Sequence, residues 1–409
     1  MVQPYPRLLF VILFLTTVEQ FAVDLYLPSL PAMTNYFGAP ASYLQQTLTL
    51  YLFGFGLSPL LFGPLSDRYG RRPIVLFNLG LYLAASLLCA LATEIHWLLA
   101  GRLVNGIASG GIVVATSAMS RDSYRGKALI AVSAYMSMVW SLVPIIAPTI
   151  GGYIQHYLGW RANFYLIFLY PLPMILYLFA TLPETNPNPT TRLAVSRVIS
   201  RYMHFLNDRF FIIHVLATAV TFAATIAFNT AAPFLFQDTL HLNAVQFGWL
   251  SFAVALSYLI GTIANSYLLR YFSIATLLKI GQTIMVSASL VMLIIGFLGT
   301  MTVATLGIPA SLIILGEGFI YPNSAALAFN NVKKHLGIAT ALYGSIQLIT
   351  CSVASALVAI FPESNQIPLA LFLLGLSLVL VLSFRTLDDP SGNVDRVFVE
   401  SASKYWRVE

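Results

Sequence analysis

The feature that most constrains this chain is a pair of apolar runs, Tyr43–Phe62 and Ile74–Leu91, separated by the charge-dense stretch Gly63–Pro73. Each run is long enough to cross a bilayer as a helix, for which about 20 apolar residues suffice. Hydrocarbon offers no water to the backbone, so such a run must satisfy its own N–H and C=O groups. The stretch between them must therefore lie on one membrane face as a short loop carrying Asp67, Arg68, Arg71 and Arg72. Gly63 and Gly70 permit close backbone approach and unusual φ/ψ. Pro73 suits the first turn of the next helix. Asp67 can serve a helix N-terminus or pair with an arginine. Topology alone would explain a basic loop, so its role rests on the rest of the chain.

Composition extends the membrane reading to all 409 residues: 58% are hydrophobic and 9% charged, against about 25% charged in a soluble domain. Twelve spans follow from the pattern, at roughly 8–28, 43–63, 74–92, 97–119, 128–154, 161–182, 210–235, 245–267, 273–297, 302–325, 338–360 and 366–386. The expected fold class is an all-α polytopic membrane protein. The first segment carries Glu19 and Asp24 into Pro28 without a small-residue cleavage site, so it reads as a retained helix. Of the 21 lysines and arginines, all but Arg102 and Arg161 fall on one side, which places both termini in the cytoplasm. The net charge of +6 is thus a topological excess, and no nucleic-acid partner is implied. The only long polar interior segment, 183–209, divides residues 1–182 from 210–386, and a polar tail follows from 387 to 409. The two halves echo one another: Asp24-Leu25-Tyr26-Leu27-Pro28 answers Asn229-Thr230-Ala231-Ala232-Pro233, and Gly63…Asp67 answers Gly261…Asn265.

Ionisable groups at membrane depth carry the chemistry, because each costs a few kcal/mol unless paired or wet. Four are evident: Glu19, Asp24, Arg102 and Glu317. With a rise of 1.5 Å per residue, Asp24 lies about 6 Å and Arg102 about 7.5 Å below the outer ends of their spans. An Asp24–Arg102 pair is therefore allowed. Asp24 reads either as a proton carrier that alternates between burial and its partner, or as half of a static ion pair. Glu19 lies deeper, on a face turned away from Asp24, and is a second candidate carrier. Glu317, past midplane in span 10, is a carrier or a cation-binding charge. Polarity at depth suggests Gln20, Asp24, Tyr135, Asn229, Glu317, Tyr343 and Gln347 as the substrate site. Cys89 and Cys351 sit in apolar runs as packing residues, and the six histidines show no metal-ligand spacing.

The spacing G-x-L-x-D-R-x-G-R-R at 63–72 resembles the signature loop of the major facilitator superfamily. Asp24-Leu25-Tyr26-Leu27-Pro28-Ser29-Leu30-Pro31 looks like the D-M-Y-L-P-x-L-P of its bicyclomycin-resistance and chloramphenicol-efflux (Bcr/CflA) branch of drug:proton antiporters. Leu98…Arg102…Gly106 resembles the span-4 motif of that group, with Asn105 where glutamine is usual. Pro144 and Ala147-Pro148-Thr149-Ile150-Gly151-Gly152 resemble its span-5 antiporter motif G-P-x-x-G-G, with Ala147 replacing the first glycine. Further matches are Arg121-Asp122, Gly159-Trp160-Arg161, Leu182-Pro183-Glu184-Thr185, Ala232-Pro233-Phe234, Gln246-Phe247-Gly248 and Tyr321-Pro322-Asn323. Glu19 and Glu317 depart from the branch.

This resemblance implies two pseudo-symmetric six-helix halves with a midplane substrate site. It also implies proton-driven export of small molecules from the cytoplasm across the bacterial inner membrane, by a monomer with no cofactor beyond the proton gradient. Gly63, Asp67, Arg68, Gly70 and Arg71, joined by Asp122, would form a cytoplasmic latch. A dedicated metabolite or siderophore exporter and a proton-coupled importer share the fold. A membrane enzyme would need converging catalytic groups, and an ATP-driven pump a Walker motif; neither pattern occurs. A non-transporting receptor would leave the buried carboxylates without a role.

Overall fold

The computed structural model describes residues 6–186, 195–332, 336–362 and 364–385. The tail 387–409 and linker residues 187–194 lie outside the described residues, and with them part of the expected domain division.

Twelve helices long and apolar enough to cross a membrane occur in sequence order among the described residues. Spans 1 to 6 are Arg7–Phe37, Ala41–Tyr69, Arg71–Leu91, Ile95–Ser123, Gly126–Leu158 and Trp160–Thr181. Spans 7 to 12 are Arg209–Thr239, Ala244–Leu268, Ile274–Phe297, Val303–Asn330, Leu336–Val358 and Ile367–Phe384. One apolar core is built from spans 1–6 with a few residues of spans 7 and 11, and a second from spans 7–12. A short amphipathic linker helix, Val195–Leu206, buries Phe205 beside Phe211 and Leu342 at the end of the second half.

Several boundaries differ from the sequence-based expectation, for one reason. Hydropathy marks where a helix is apolar, whereas the helix continues wherever its backbone has no better partner. The stretch Gly63–Pro73 is consequently a one-residue turn rather than a loop. Span 2 runs through Pro64 to Tyr69, and span 3 starts at Arg71. Gly70, at φ 96°, takes the reversal in a region open to glycine. Asp67 does not serve the N-terminus of span 3. Glu184 does, accepting from the backbone N–H groups of Arg71 (2.8 Å) and Arg72 (3.2 Å). Gly63, expected to admit a close neighbour, faces open space.

Span 1 is the other departure. Its helix stops at Asp24, turns through a short 3-10 segment, Leu27–Ser29, and resumes from Leu30 to Phe37. Pro28 and Pro31 supply no backbone donor, which favours the break. The broken backbone is held from three sides. Gly151 of span 5 sits so close that a Cβ there would run into the Leu25 carbonyl. Asn163 Nδ2 of span 6 donates to Ser29 Oγ at 2.8 Å, and Gln237 Nε2 of span 7 donates to the Pro28 carbonyl at 3.1 Å. The matching stretch of span 7 keeps its α-helix through Pro233 and widens into a π-turn at Leu235–Thr239. The repeat in sequence is thus a repeat of position and not of backbone.

The two halves meet at the membrane face opposite the Gly70 turn. There Ser352 Oγ donates to the Thr49 carbonyl (2.9 Å), Thr149 Oγ1 to the Gly248 carbonyl (3.0 Å) and Gln45 Nε2 to the Thr230 carbonyl (3.3 Å). On the Gly70 side, span 5 is exposed round most of its circumference from Arg125 to Leu142, Val132 and Met136 excepted, whereas its far half is packed around Val143, Ile145, Ala147, Pro148 and Gly151. The molecule is closed at the far face and open at the face of the Gly70 turn.

Two substitutions test this packing by thermal unfolding in detergent. Gly151→Val should destabilise by roughly 1–3 kcal/mol, as overpacking does. Gly63→Ala, in a helix interior with room for the methyl, should stabilise by about 0.5–1 kcal/mol. Equal effects would contradict the assignment.

Candidate transport site

Arg102 is almost fully buried, at 1% exposure, and the carboxylate expected beside it is absent. Its guanidinium lies over the rings of both Tyr26 and Tyr51, 4.3 Å from each centroid. Its Nε donates to the Thr47 carbonyl at 3.4 Å, and one terminal nitrogen has no partner. Tyr26 and Thr47 share a hydrogen bond of 3.0 Å, which orients the first ring. Tyr51 Oη donates toward the Glu19 carbonyl (3.0 Å) and lies 2.9 Å from Ser109 Oγ, which orients the second. A desolvated cation over aromatic faces gains about 2 kcal/mol or more, so Tyr26 and Tyr51 take the place of a counter-ion.

The Asp24–Arg102 pair therefore does not form in this state. Span 1 extends to Phe37, which puts Asp24 thirteen residues from that end instead of four. The following break delivers Tyr26, not Asp24, to the arginine. Asp24 is buried, and among the described residues no hydrogen bond or ion pair reaches its carboxylate. The described ion pairs are Arg71–Asp67 and Arg71–Asp122.

Glu19 faces span 5 instead. Trp140 Nε1 donates to its Oε1 at 2.5 Å, while Oε2 has no partner. Tyr51 lies within electrostatic reach of Glu19, Asp24 and Arg102 together, so the three charges form one neighbourhood despite their different faces. Gln20, half-buried, adjoins Glu19. Asn105 does not face this group; it donates to Ser86 Oγ (2.8 Å) and the Tyr82 carbonyl (3.2 Å), tying spans 3 and 4 together.

Glu317 occupies the second half. It sits in the middle of span 10, fourteen residues from Val303 and thirteen from Asn330, not past midplane. The glycines beside it allow close helix contact, Gly316 against span 9 and Gly318 against span 8. That contact turns the glutamate inward, where Thr225 Oγ1 donates to it and Tyr258, Tyr321 and Cys351 lie within electrostatic reach. Gln347 Nε2 donates to Tyr321 Oη at 3.1 Å, and Tyr343 lies close to Tyr321. Glu317, Tyr343 and Gln347 thus lie around Tyr321. Asn229 is half-buried on span 7, four residues from Thr225. Tyr135, at 45% exposure, stands on the open half of span 5, with no described hydrogen bond to either cluster.

At the Gly70 turn, Arg71 Nη1 pairs with Asp67 at 2.7 Å and Nε with Asp122 at 2.9 Å, joining spans 2, 3 and 4. Arg68 lies outside this group, over the ring of Tyr69. Pro144 and Pro148 lie within the unbroken helix of span 5. Gly152 meets the Ala244 carbonyl of span 8, so the motif that cradles span 1 through Gly151 also forms the seam between halves.

Sequence reasoning missed Tyr26, Tyr51, Trp140, Thr225, Tyr258 and Tyr321. For the first two, a buried arginine followed the pattern of its span, but nothing local to the sequence marked the tyrosines of spans 1 and 2 as its partners.

The aromatic clamp is testable by a double-mutant cycle on thermal stability, with Arg102→Met and Tyr51→Leu alone and together. A coupling of about 1–2 kcal/mol is expected. Strict additivity would contradict the clamp.

Comparison with known proteins bears on the family and the fold. The chain is 27% identical over 376 residues to Multidrug resistance protein D of Escherichia coli, covering 92% of this chain and 94% of that one. It is 26% identical over 370 residues to the Bicyclomycin resistance protein homolog of Haemophilus influenzae, covering 90% and 92%. The Chloramphenicol resistance protein of Pseudomonas aeruginosa is 26% identical over 370 residues, covering 88% and 85%. These relatives match the branch that the Asp24–Pro31 motif resembles. Among solved structures, a POT family transporter in complex with 5-aminolevulinic acid superposes with a TM-score of 0.74 at 15% identity, over 95% of this chain and 96% of that one, a likeness of fold. The family model described as Major Facilitator Superfamily matches residues 12–355, and the chain belongs to that superfamily of membrane transporters.

Proposed function

We propose that this transporter exports small molecules by proton antiport, with Asp24 as the principal proton carrier. The observation that carries the reading is the Asp24 carboxylate, buried at the broken helix of span 1 with no described partner. An ionised carboxylate in that position is costly, and the cost is removed by taking up a proton or by exposure to water. A group whose charge state is tied to access is what coupling requires. The names of the relatives, which speak of multidrug, bicyclomycin and chloramphenicol resistance, support drug efflux as the direction and class.

In this reading substrate enters between the halves from the Gly70 side, taken as the cytoplasmic face of a bacterial inner membrane with both termini on it. Glu19 beside Trp140 and Glu317 among Tyr258 and Tyr321 offer carboxylate and ring together, chemistry that suits an organic cation. Closure of the Gly70 side and opening of the far seam would release it. Asp67, Arg71 and Asp122 brace the ends of spans 2, 3 and 4 during that exchange. The transporter works as a monomer on the proton gradient alone. A dedicated metabolite exporter is the second reading, favoured by the two glutamates that depart from the branch.

Inverted membrane vesicles energised acid-inside provide the test, with ΔpH followed by a fluorescent amine during addition of tetraphenylphosphonium, ethidium or chloramphenicol. Wild type should dissipate ΔpH with at least one cation, and Asp24→Asn should reduce this to background. If Glu19→Gln or Glu317→Gln abolishes dissipation while Asp24→Asn retains it, Asp24 is not the carrier. If no compound on the panel dissipates ΔpH, multidrug antiport is refuted.

A further inference from the structure

A cavity of about 640 Å³ opens between spans 1 and 6, lined by none of the residues of the two carboxylate clusters. Its size falls within the roughly 300–1,000 Å³ of small-molecule sites. Its lining includes Arg7, Phe10, Phe14, Tyr170, Met174 and Tyr177. Span 6 creates the space: its helix is interrupted at Tyr170–Pro171 and restarts at Leu172, where Pro171 and Pro173 remove two backbone donors. Tyr170 stacks on Phe14 at 4.6 Å, meets Phe21 edge-on at 5.4 Å and shares a hydrogen bond of 2.6 Å with Thr17. These packed rings close the groove toward the interior.

The dimensions match one leaflet. Arg7 is the first residue of span 1, and Tyr170 stands eleven residues before the end of span 6 at Thr181, a rise of about 16 Å. Half of a hydrocarbon core of about 30 Å is about 15 Å. The groove therefore runs from headgroup level to the bilayer midplane, with apolar and aromatic walls and a cation at its mouth. Arg7 is exposed and has no partner among the described residues. Basic pockets between spans on the positive side bind anionic lipid headgroups, and a side chain at a span end reaches that level readily.

We propose that the span 1–span 6 groove binds one anionic phospholipid of the leaflet on the Gly70 side, its headgroup phosphate on Arg7 and an acyl chain along Phe14, Tyr170 and Met174. The lipid would brace span 1 through Tyr170, on the helical stretch that carries Glu19.

The full-length protein, delipidated in detergent, is titrated with phosphatidylglycerol and separately with phosphatidylcholine, and bound lipid is counted by native mass spectrometry. Wild type should retain one phosphatidylglycerol in preference to phosphatidylcholine. Arg7→Gln should weaken phosphatidylglycerol about fivefold, equivalent to about 1 kcal/mol for one basic side chain at an anionic surface, and leave phosphatidylcholine unchanged. Met174→Trp, which fills the groove, should weaken both. Equal retention of the two lipids by wild type would overturn the proposal, as would unchanged phosphatidylglycerol binding in Arg7→Gln. Displacement of the lipid by tetraphenylphosphonium, retained in Met174→Trp, would also overturn it, since the groove would then not be the lipid's site.

Discussion

The guanidinium of Arg102 sits in the membrane interior between two tyrosine rings, and much of the first half is arranged to allow this. Tyr26 reaches the arginine because span 1 stops being helical after Asp24. The break persists because Gly151 leaves room for the Leu25 carbonyl and because Asn163 and Gln237 bond the strand of backbone that follows. Tyr51 completes the clamp while its hydroxyl engages the carbonyl of Glu19. Stabilising a buried cation with rings instead of a carboxylate leaves the nearby acids uncommitted. Asp24 lacks a described partner, and Glu19 holds only one oxygen in a hydrogen bond from Trp140.

The same span-5 motif serves two contacts at once. Gly151 supports the broken helix inside the first half, and Gly152 touches span 8 across the seam. A rearrangement of that seam cannot leave the Leu25 carbonyl unaffected, and with it the ring of Tyr26. The contact across the seam and the contact with the broken helix beside Asp24 are thus made by adjacent residues. The Asp67–Arg71–Asp122 group at the opposite face lies within one half and acts as a brace for three helix ends.

The spans, their number and the family were legible in the sequence because hydropathy and the Gly63–Arg72 pattern are local properties. The site was legible only as a set of residue types. Glu317, Tyr343 and Gln347 were conspicuous as polar groups in a span, and the structure places them near one another. Tyr26 and Tyr51 were not, since a tyrosine in an apolar run looks like packing until the arginine above it is seen. Glu184 lies 113 residues from the N–H of Arg71 that it caps, a distance that no local pattern bridges. The extension of span 1 to Phe37 was hidden because Leu30–Phe37 follows one proline, contains another and carries polar residues. The break after Asp24 delivers Tyr26 to Arg102 in its place, so the expected ion pair failed for a reason of geometry and not of chemistry.

The most direct test of Asp24 as the element that ties protonation to access needs no substrate. Spin labels placed on the Gly70-side ends of spans 5 and 8 would report the opening between the halves by pulsed electron–electron distance measurement as pH is varied. The account predicts a wild-type distance distribution that shifts with pH and an Asp24→Asn distribution that does not. A full pH response in Asp24→Asn would contradict it.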